Sequence, residues 1–241
     1  MELFITDPLN CKLGQFAAFS DEDRRVLDEL SGEGVRAYAA REDIEQEGRK
    51  PTDVKLVLAG WACRYKLLAD GRRQIMAFLL PGDISELHLH LLSKLDHSIC
   101  ALTPASVARI SNATLTSVMG RHPRIAEALL WAQLVAAATQ REWIINLGQR
   151  SAFERVAHLL CELFIRMQGI GLVQDRRCEF PLTQAELADA TGLSAIHVNR
   201  TLQELRGKGL IALRNRGLYI PDLTNLQDAA EFNPDYLHFR Q

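Results

Sequence analysis

The chain has 241 residues, which is enough for one or two domains with a sizeable core. Hydrophobic residues make up 47% of it and charged residues 24%, with a net charge of −2, and these proportions are typical of a soluble globular protein. The five cysteines are scattered without a C-x-x-C pair, so we expect reduced thiols and no disulfide framework. Neither a signal-peptide pattern nor an apolar run of membrane length is found, so we expect a cytoplasmic protein without a membrane partner.

The first 111 residues predict a helix followed by many short strands. Ser20 can cap a helix that has three acidic residues in its first turn and ends near Gly32. Short apolar runs then alternate with turn residues such as Asp70-Gly71, a pattern typical of a small antiparallel roll or barrel. The predicted strands are 54–58, 61–67, 74–80, 98–102 and 106–110.

Two histidines in this region are the clearest candidates for a metal site. His88 and His90 alternate along the chain, so on a strand they would share one face and could bind one metal ion. The spacing from Gly82 resembles the start of a cupin motif, but Lys94 or Leu95 stands where that motif needs a glutamate. The surrounding leucines equally favour a helical lid or a packing strand. A metal-dependent cupin-like sensor or enzyme using His88 and His90 is therefore the alternative function.

A long uninterrupted helix is predicted after residue 122. Pro123 suits a first helical turn, and neither glycine nor proline follows before Gly148. From 123 to 147 such a helix spans roughly 37 Å. Apolar side chains on nearly every face require burial on more than one side, within its own domain or against another chain. The a/d-like positions are Ile125, Leu129, Ala132 and Ala136.

The next segment predicts a hinge and a supporting helix. Residues 148–150 form the hinge, and Ser151 with Glu154 forms a capping box that starts the helix. Gly169 ends it. A further helix is possible over 223–232, in a tail to which the sequence assigns no role.

Residues 182–206, LTQAELADATGLSAIHVNRTLQELR, predict two short helices joined by a tight turn. Thr183 and Glu186 fit a capping box, Gly192 can supply the left-handed residue of the turn, and Ser194 can cap the second helix. The inward positions of the second helix recur at i, i+4 and i+7. They are Val198, Leu202 and Leu205.

The opposite face of the second helix is polar, which suits nucleic-acid recognition. Its donors can reach phosphates and base edges, and a helix fits the major groove of DNA. Residues 210–221 then predict two short strands around a turn at 215–217, which would form a wing. Between 200 and 217 five residues are basic and only Glu204 is acidic, so positive charge is concentrated where phosphates would lie. An ordinary helical hairpin with a polar face is the alternative.

The run LTQAELADATGLSAIHVNRTLQELRGKGLI resembles the winged helix-turn-helix of the cyclic-AMP-receptor/fumarate-nitrate-regulator (Crp/Fnr) family of bacterial transcription factors. A weaker resemblance covers almost the whole chain. It implies an α+β fold: an antiparallel β-roll of the cyclic-nucleotide-binding type (a jelly-roll, or double-stranded β-helix) over 1–118, a dimerisation helix and hinge over 119–149, and a winged helix-turn-helix DNA-binding domain over 150–241.

The same resemblance implies a regulator without enzymatic activity. The residues themselves agree with this expectation, since no catalytic triad, Cys/His pair or phosphate loop is visible in the sequence. Its implied partners are double-stranded DNA with a near-palindromic operator, a second copy of the chain and RNA polymerase. An effector or partner would be sensed by the roll. The implied dimer interface consists of Ile125, Leu129, Ala132 and Ala136.

The sensor pocket departs from the family pattern. The segments that would hold the ribose and the cyclic phosphate fall at Ser85, Glu86, Leu87, His97 and Ser98. Glu86 could accept from a ribose hydroxyl, but an imidazole at His97 replaces the fixed, forked guanidinium that binds the phosphate. The iron–sulfur branch uses clustered N-terminal cysteines, where this chain has only Cys11. We therefore expect no cyclic AMP, haem or iron–sulfur cofactor, and the effector is unidentified.

The family's base-reading positions can be carried over one at a time. The cyclic-AMP branch reads bases with an Arg-Glu pair and a later Arg; here Ala195 and Ile196 hold the first two places and only Arg200 matches. Arg200 is the strongest candidate for a bidentate contact to guanine, worth about 1–3 kcal/mol, whereas Asn199 could read adenine. Ile196 could contact a thymine methyl, so the half-site should differ from the family's usual one. The predicted DNA-binding set is Ser194, Ala195, Ile196, His197, Asn199, Arg200, Gln203, Arg214 and Arg216, with Ser194 and His197 expected at phosphates.

Overall fold

The computed structural model describes residues 7–87 and 91–239. They fall into two compact units, the first made of 7–67, 76–136 and 239, the second of 68–75 and 137–238. Among these residues we find no helix whose length and hydropathy would let it span a bilayer. His88 and His90, the candidate metal ligands, lie outside the described residues.

The first unit opens with two short helices, α1 (Pro8–Leu13) and α2 (Asp21–Gly32). The sequence analysis missed α1, which begins where the Asp7 carboxylate accepts from the backbone N–H of Asn10 at 2.9 Å. The predicted cap of α2 is confirmed: Ser20 and Asp23 form a capping box, with Asp23 as the reciprocal acceptor. The hydrogen bonds to Ser20 hold the pKa of Asp23 below its usual value.

Seven strands form an antiparallel roll of two sheets, and apart from residues 73–75 they belong to the first unit. They are β1 (Arg36–Tyr38), β2 (Asp43–Glu45), β3 (Asp53–Ala59), β4 (Ala62–Leu67), β5 (Arg73–Leu79), β6 (Ser98–Ala101) and β7 (Ala105–Ser111). The sheet orders are β1-β7-β3 and β2-β6-β4-β5. The pairs β1/β7, β3/β7, β2/β6 and β4/β6 are antiparallel. The predicted roll is confirmed, and each of the five predicted strands agrees with an observed one to within one residue at either end.

The core of the roll lies among the apolar side chains that these strands share. Burial removes this apolar surface from water and is the main force that holds the strands together. The buried cluster consists of Tyr38, Ile44, Val57, Ala62, Leu79, Ile99, Ala101, Ala105 and Val107.

Two consecutive helices follow the roll, α3 (Asn112–Arg121) and α4 (Pro123–Gln149). The 27 residues of α4 correspond to roughly 40 Å of helix. It starts at Pro123 as predicted and continues through Gly148 to Gln149, so that only Arg150 of the predicted hinge residues 148–150 lies outside a helix. A glycine inside a helix costs only about 1 kcal/mol, and here the chain leaves the helix at Arg150, just before the Ser151 cap of the next helix.

The buried face of α4 corrects the predicted dimer interface. Ile125 and Leu129 are 0% and 1% exposed within their own chain, so they have no surface left for a partner to cover. Their assignment to the dimer interface is therefore wrong. Ala132 and Ala136 are half-buried. The large apolar side chains that α4 leaves exposed are Leu130, Leu134, Ile144 and Ile145.

The second unit is built around α5 (Ala152–Gly169), whose capping box at Ser151 and Glu154 is confirmed. Its other elements are β8 (Arg177–Glu179), α6 (Gln184–Thr191), α7 (Ala195–Gly207), β9 (Ala212–Arg214), β10 (Gly217–Tyr219), α8 (Leu223–Ala230) and a 3₁₀ helix (Pro234–Leu237). The wing is a three-stranded sheet in the order β8-β10-β9. Sequence analysis predicted β9 and β10 but not β8, which precedes the helix-turn-helix in the chain.

The tail after β10 closes the second unit through a buried carboxylate. Glu162 on α5 is fully buried and accepts from Trp143 Nε1 at 2.8 Å and from the Tyr236 hydroxyl at 3.1 Å. Arg166 donates to its other oxygen at 3.1 Å. Burial raises the pKa of Glu162 despite these partners. The tail therefore contributes a side chain to the interior of the DNA-binding unit.

Candidate nucleic-acid interface

The turn between α6 and α7 has the geometry that the sequence predicts. Thr183 and Glu186 form the capping box of α6, with the Thr183 N–H donating to the Glu186 carboxylate at 2.7 Å. Gly192 adopts a left-handed conformation (φ 65°), and its N–H donates to the Ala188 carbonyl. A non-glycine residue would be strained at this φ. The direction in which α7 leaves the turn therefore depends on one glycine.

The recognition helix α7 is fixed by one face and offers the other to solvent. Its cap is Ser194, whose hydroxyl accepts from the His197 N–H at 3.2 Å. Val198, Leu202 and Leu205 are at most 4% exposed, as predicted from their spacing. The inward face therefore holds the helix against the rest of the second unit.

The outward face carries nearly all of the predicted base-reading side chains. Ile196 is 78% exposed, so its side chain is free to contact a bound duplex. Arg200 lies one turn further along the helix, and Gln203 follows it; both are exposed. Ala195 and His197 are exposed as well. The structure brings these side chains onto one surface, which we call the recognition face.

Asn199 belongs to the same helix but is held by a neighbouring element. It is half-buried, and its Nδ2 donates to the Oε1 of Gln184, the first residue of α6, at 3.1 Å. Gln184 was not among the predicted site residues. Its position in α6 gave no sign of the contact, because the two residues are 15 positions apart and meet only through the turn.

The wing adds two exposed arginines beside the helix-turn-helix. Asn215 and Arg216 form the two-residue loop between β9 and β10, and both have positive φ (49° and 60°), as a type I′ hairpin requires. Arg214 and Arg216 are exposed at this loop. Residues of the wing and of the helix-turn-helix line one shallow cavity of about 330 Å³, which includes Gln184, Arg206 and both wing arginines.

One basic side chain of the predicted positive patch is already engaged. Lys208 forms an ion pair with Glu204 one turn earlier, at 2.9 Å, and its ammonium lies 4.2 Å from the centre of the Phe153 ring. It therefore anchors the end of α7 to α5. The positive charge best placed for phosphates comes from the exposed arginines of α7 and the wing.

The predicted effector residues of the roll are drawn into internal contacts. Ser85 and Ser98 support neighbouring strands, since their hydroxyls accept from the N–H groups of Lys55 and Glu47, each at 2.9 Å. Leu87 is half-buried. The hydroxyls of the two serines are therefore engaged in contacts within the roll.

Glu86 and His97 do come together, around an arginine that the sequence analysis missed. Arg64 on β4 pairs with Glu86 at 2.9 Å, and His97 Nε2 lies 3.5 Å from the same carboxylate oxygen. The other nitrogen of His97 contacts Asp96 at 2.8 Å, and this hydrogen bond lowers the pKa of Asp96. Arg64 and His97 are each 6% exposed. We call Arg64, Glu86 and His97 the roll triad.

Within residues 7–87 and 91–239, no group of three or more His, Cys, Asp or Glu side chains is arranged to hold a metal ion.

Comparison with known proteins identifies both halves of the chain. Residues 154–229 match the Crp-like helix-turn-helix domain, and residues 35–122 match the cyclic nucleotide-binding domain. The first match contains the recognition face and the wing; the second contains the roll triad.

Full-length relatives agree with these domain matches. The nitrogen fixation regulation protein FixK of Azorhizobium caulinodans is 32% identical over 80% of this chain and 78% of its own. The FixK protein of Bradyrhizobium diazoefficiens is 28% identical over 92% of both chains. The solved structure of FixK2 from Bradyrhizobium japonicum superposes with a TM-score of 0.71 at 27% identity, over 81% of this chain and 96% of that one. The chain therefore belongs to the Crp/Fnr family and is a DNA-binding transcriptional regulator.

Proposed function

We propose that the protein acts as a homodimer, in which two copies of α7 bind a near-palindromic operator. The observation that carries this proposal is the exposed apolar surface of α4. Leu130 and Leu134 are 51% and 68% exposed and lie one helical turn apart. Such a pair on a long helix is costly in water and gains free energy when a second copy covers it. RNA polymerase is the protein partner that we expect at the promoter.

A two-fold dimer would present the recognition faces of both copies to successive turns of the major groove. The half-sites would then lie roughly 34 Å apart, one turn of B-DNA. Exposure of Ile196, where the cyclic-AMP branch has a glutamate, supports a half-site with a thymine contact.

We also propose that cyclic AMP is not the effector. In the roll triad, the carboxylate of Glu86 is already bound by Arg64, and an imidazole stands where the family's phosphate-binding guanidinium would be. A nucleotide would have to share the Glu86 carboxylate with Arg64, and it would find no guanidinium at His97 to bind its phosphate.

The dimer proposal is tested with Leu134→Asp and the control Leu172→Asp, since Leu172 is also a half-exposed leucine (45%) but lies outside α4. We expect Leu134→Asp to convert the dimer into a monomer in sedimentation equilibrium and to weaken operator binding. The control should leave both unchanged. A Leu134→Asp protein that stays dimeric at the concentration of the wild type contradicts the proposal.

A further inference from the structure

We propose that Gln184 is a positioning residue for base recognition: it holds the amide of Asn199 in the orientation that reads adenine and links that orientation to a phosphate contact. The proposal rests on DNA recognition by α7. It concerns one pair of side chains, Gln184 on α6 and Asn199 on α7, which we call the amide pair.

The position of the amide pair suits this role. Gln184 is exposed at the first position of α6, while Asn199 lies in the second turn of α7, on the residue before Arg200. The Asn199 Nδ2 donates to the Gln184 Oε1 at 3.1 Å. Both helices have a side-chain cap at their start, so the two hydrogen-bonded residues lie on well-defined helical backbone. The bond therefore connects the start of one helix with the recognition face of the other.

Hydrogen-bond capacity allows the pair to work without leaving a group unsatisfied. A side-chain amide has two N–H donors and a carbonyl acceptor. After donating once to Gln184, Asn199 keeps one N–H for adenine N7 and its oxygen for adenine N6–H, which is the bidentate pattern that reads adenine. Gln184 keeps both of its N–H donors for phosphate oxygens.

The phosphate would decide which way both amides point. An unpaired asparagine can rotate its amide by half a turn, which exchanges donor and acceptor and removes the preference for adenine. If the NH₂ group of Gln184 points to a phosphate, the Gln184 oxygen faces Asn199. Asn199 must then donate an N–H to that oxygen. The orientation of Asn199 is then set before it meets the base, and less conformational freedom is lost on binding.

The experiment is selection of binding sites from random duplex DNA by full-length wild type and by three variants: Asn199→Ala, Gln184→Ala and Gln184→Glu. We expect Asn199→Ala to lose an adenine preference of roughly fivefold or more at one position of each half-site. Gln184→Ala should lose the preference at the same position. The guanine position assigned to Arg200 should persist in both, which shows that the proteins are folded and bound.

Gln184→Glu separates the two parts of the role. A glutamate still accepts from Asn199 but repels phosphate, so we expect the adenine preference to persist while affinity falls for all sequences alike. The proposal is overturned if Gln184→Ala keeps the adenine preference, if Gln184→Glu loses it, or if Asn199→Ala has none to lose. A wild type that enriches no sequence would contradict the proposed operator recognition itself and would be visible before any variant is compared.

Discussion

Arg200 and Arg214 are both exposed arginines, but they lie on elements with different tasks. Arg200 is on the outward face of α7, the helix that fits the major groove, whereas Arg214 ends a strand of the wing. A guanidinium in the groove can distinguish guanine from other bases. One beside the backbone contacts phosphates, which are the same in every sequence.

We therefore expect different losses from the two alanine variants. Arg200→Ala should relax the preference at one base pair, with a loss of about 1–3 kcal/mol for the preferred site, and Arg214→Ala should weaken binding to all sequences and lower its salt dependence. The measurement is affinity for the selected operator and for an unrelated duplex at several salt concentrations. Equal loss of discrimination in both variants would show that this division of roles is incorrect.

The buried side chain of His158 makes the stability of the second unit depend on pH. It is fully buried on α5, with Nε2 3.3 Å from the Glu142 carboxylate and its ring against those of Phe232 and Tyr236. Burial, and then the positive charge of Arg150, lower its pKa to about 3. The imidazole is therefore neutral in the folded protein at neutral pH, while in the unfolded chain it binds a proton near pH 6.5.

The sign of the effect follows from this lowered pKa. Between pH 6.5 and 3 the unfolded state binds more protons at His158 than the folded state, so stability is present above pH 6.5 and is lost as the pH falls. The upper limit is about 1.4 kcal/mol per pH unit. Urea unfolding at pH 7 and pH 5 should show a larger loss for the wild type than for His158→Phe. Equal losses in the two proteins would exclude His158 as the titrating group.

The elements show what the sequence could and could not predict. The helices with clear caps and periodicity, α2, α5, α6 and α7, were predicted close to their observed bounds, because capping boxes and the left-handed Gly192 are local signals. α1, β1, β2 and β8 have three to six residues each, too few for a period to show. α3 was missed although it has 10 residues and a serine cap.

The tail is an element whose role became visible only in three dimensions. Sequence analysis predicted a helix there without a purpose, yet Tyr236 reaches the buried Glu162 together with Trp143. Contacts over 74 and 19 positions leave no periodic trace in the sequence. The tail therefore completes the interior of the DNA-binding unit.

Removal of one donor from this buried carboxylate should be costly. We expect Tyr236→Phe to lower the free energy of unfolding by about 1–3 kcal/mol, because the buried carboxyl group of Glu162 loses one of its hydrogen-bond partners. Trp143→Phe should have a similar effect, and the double variant should differ from the sum because both side chains donate to the same oxygen. Urea unfolding of the three variants measures this. If Tyr236→Phe has the same free energy of unfolding as the wild type, the hydrogen bond from the tail to Glu162 does not stabilise the second unit.

At the scale of the whole molecule, the order of roll, long helix and winged helix-turn-helix was predictable, because each part carries its own composition and spacing. The faces of α4 were not. A helix that is apolar nearly all round can pack on its own domain or on a partner, and periodicity does not distinguish the two. Burial does distinguish them: Ile125 and Leu129 are buried within their own chain, while Leu130 and Leu134 remain exposed.

How far each candidate site could be predicted depended on whether its residues lie on one element or on distant segments. The recognition face lies on one helix, so its members could be read from helical spacing, and they appear together in the structure. The roll triad and the amide pair join distant segments, so Arg64 and Gln184 were missed. Only the fold brings those side chains to their partners.

The measurement that tests the account most directly is selection of binding sites from random duplex DNA by the purified wild type, at one physiological salt concentration and with no added ligand. We predict enrichment of a near-palindrome whose half-sites are centred roughly 34 Å apart, bound by two copies of the chain. This result would support both the dimer and independence from cyclic AMP. Enrichment of a single half-site bound by one copy would contradict the dimer, and enrichment only after cyclic AMP is added would contradict the account of the roll.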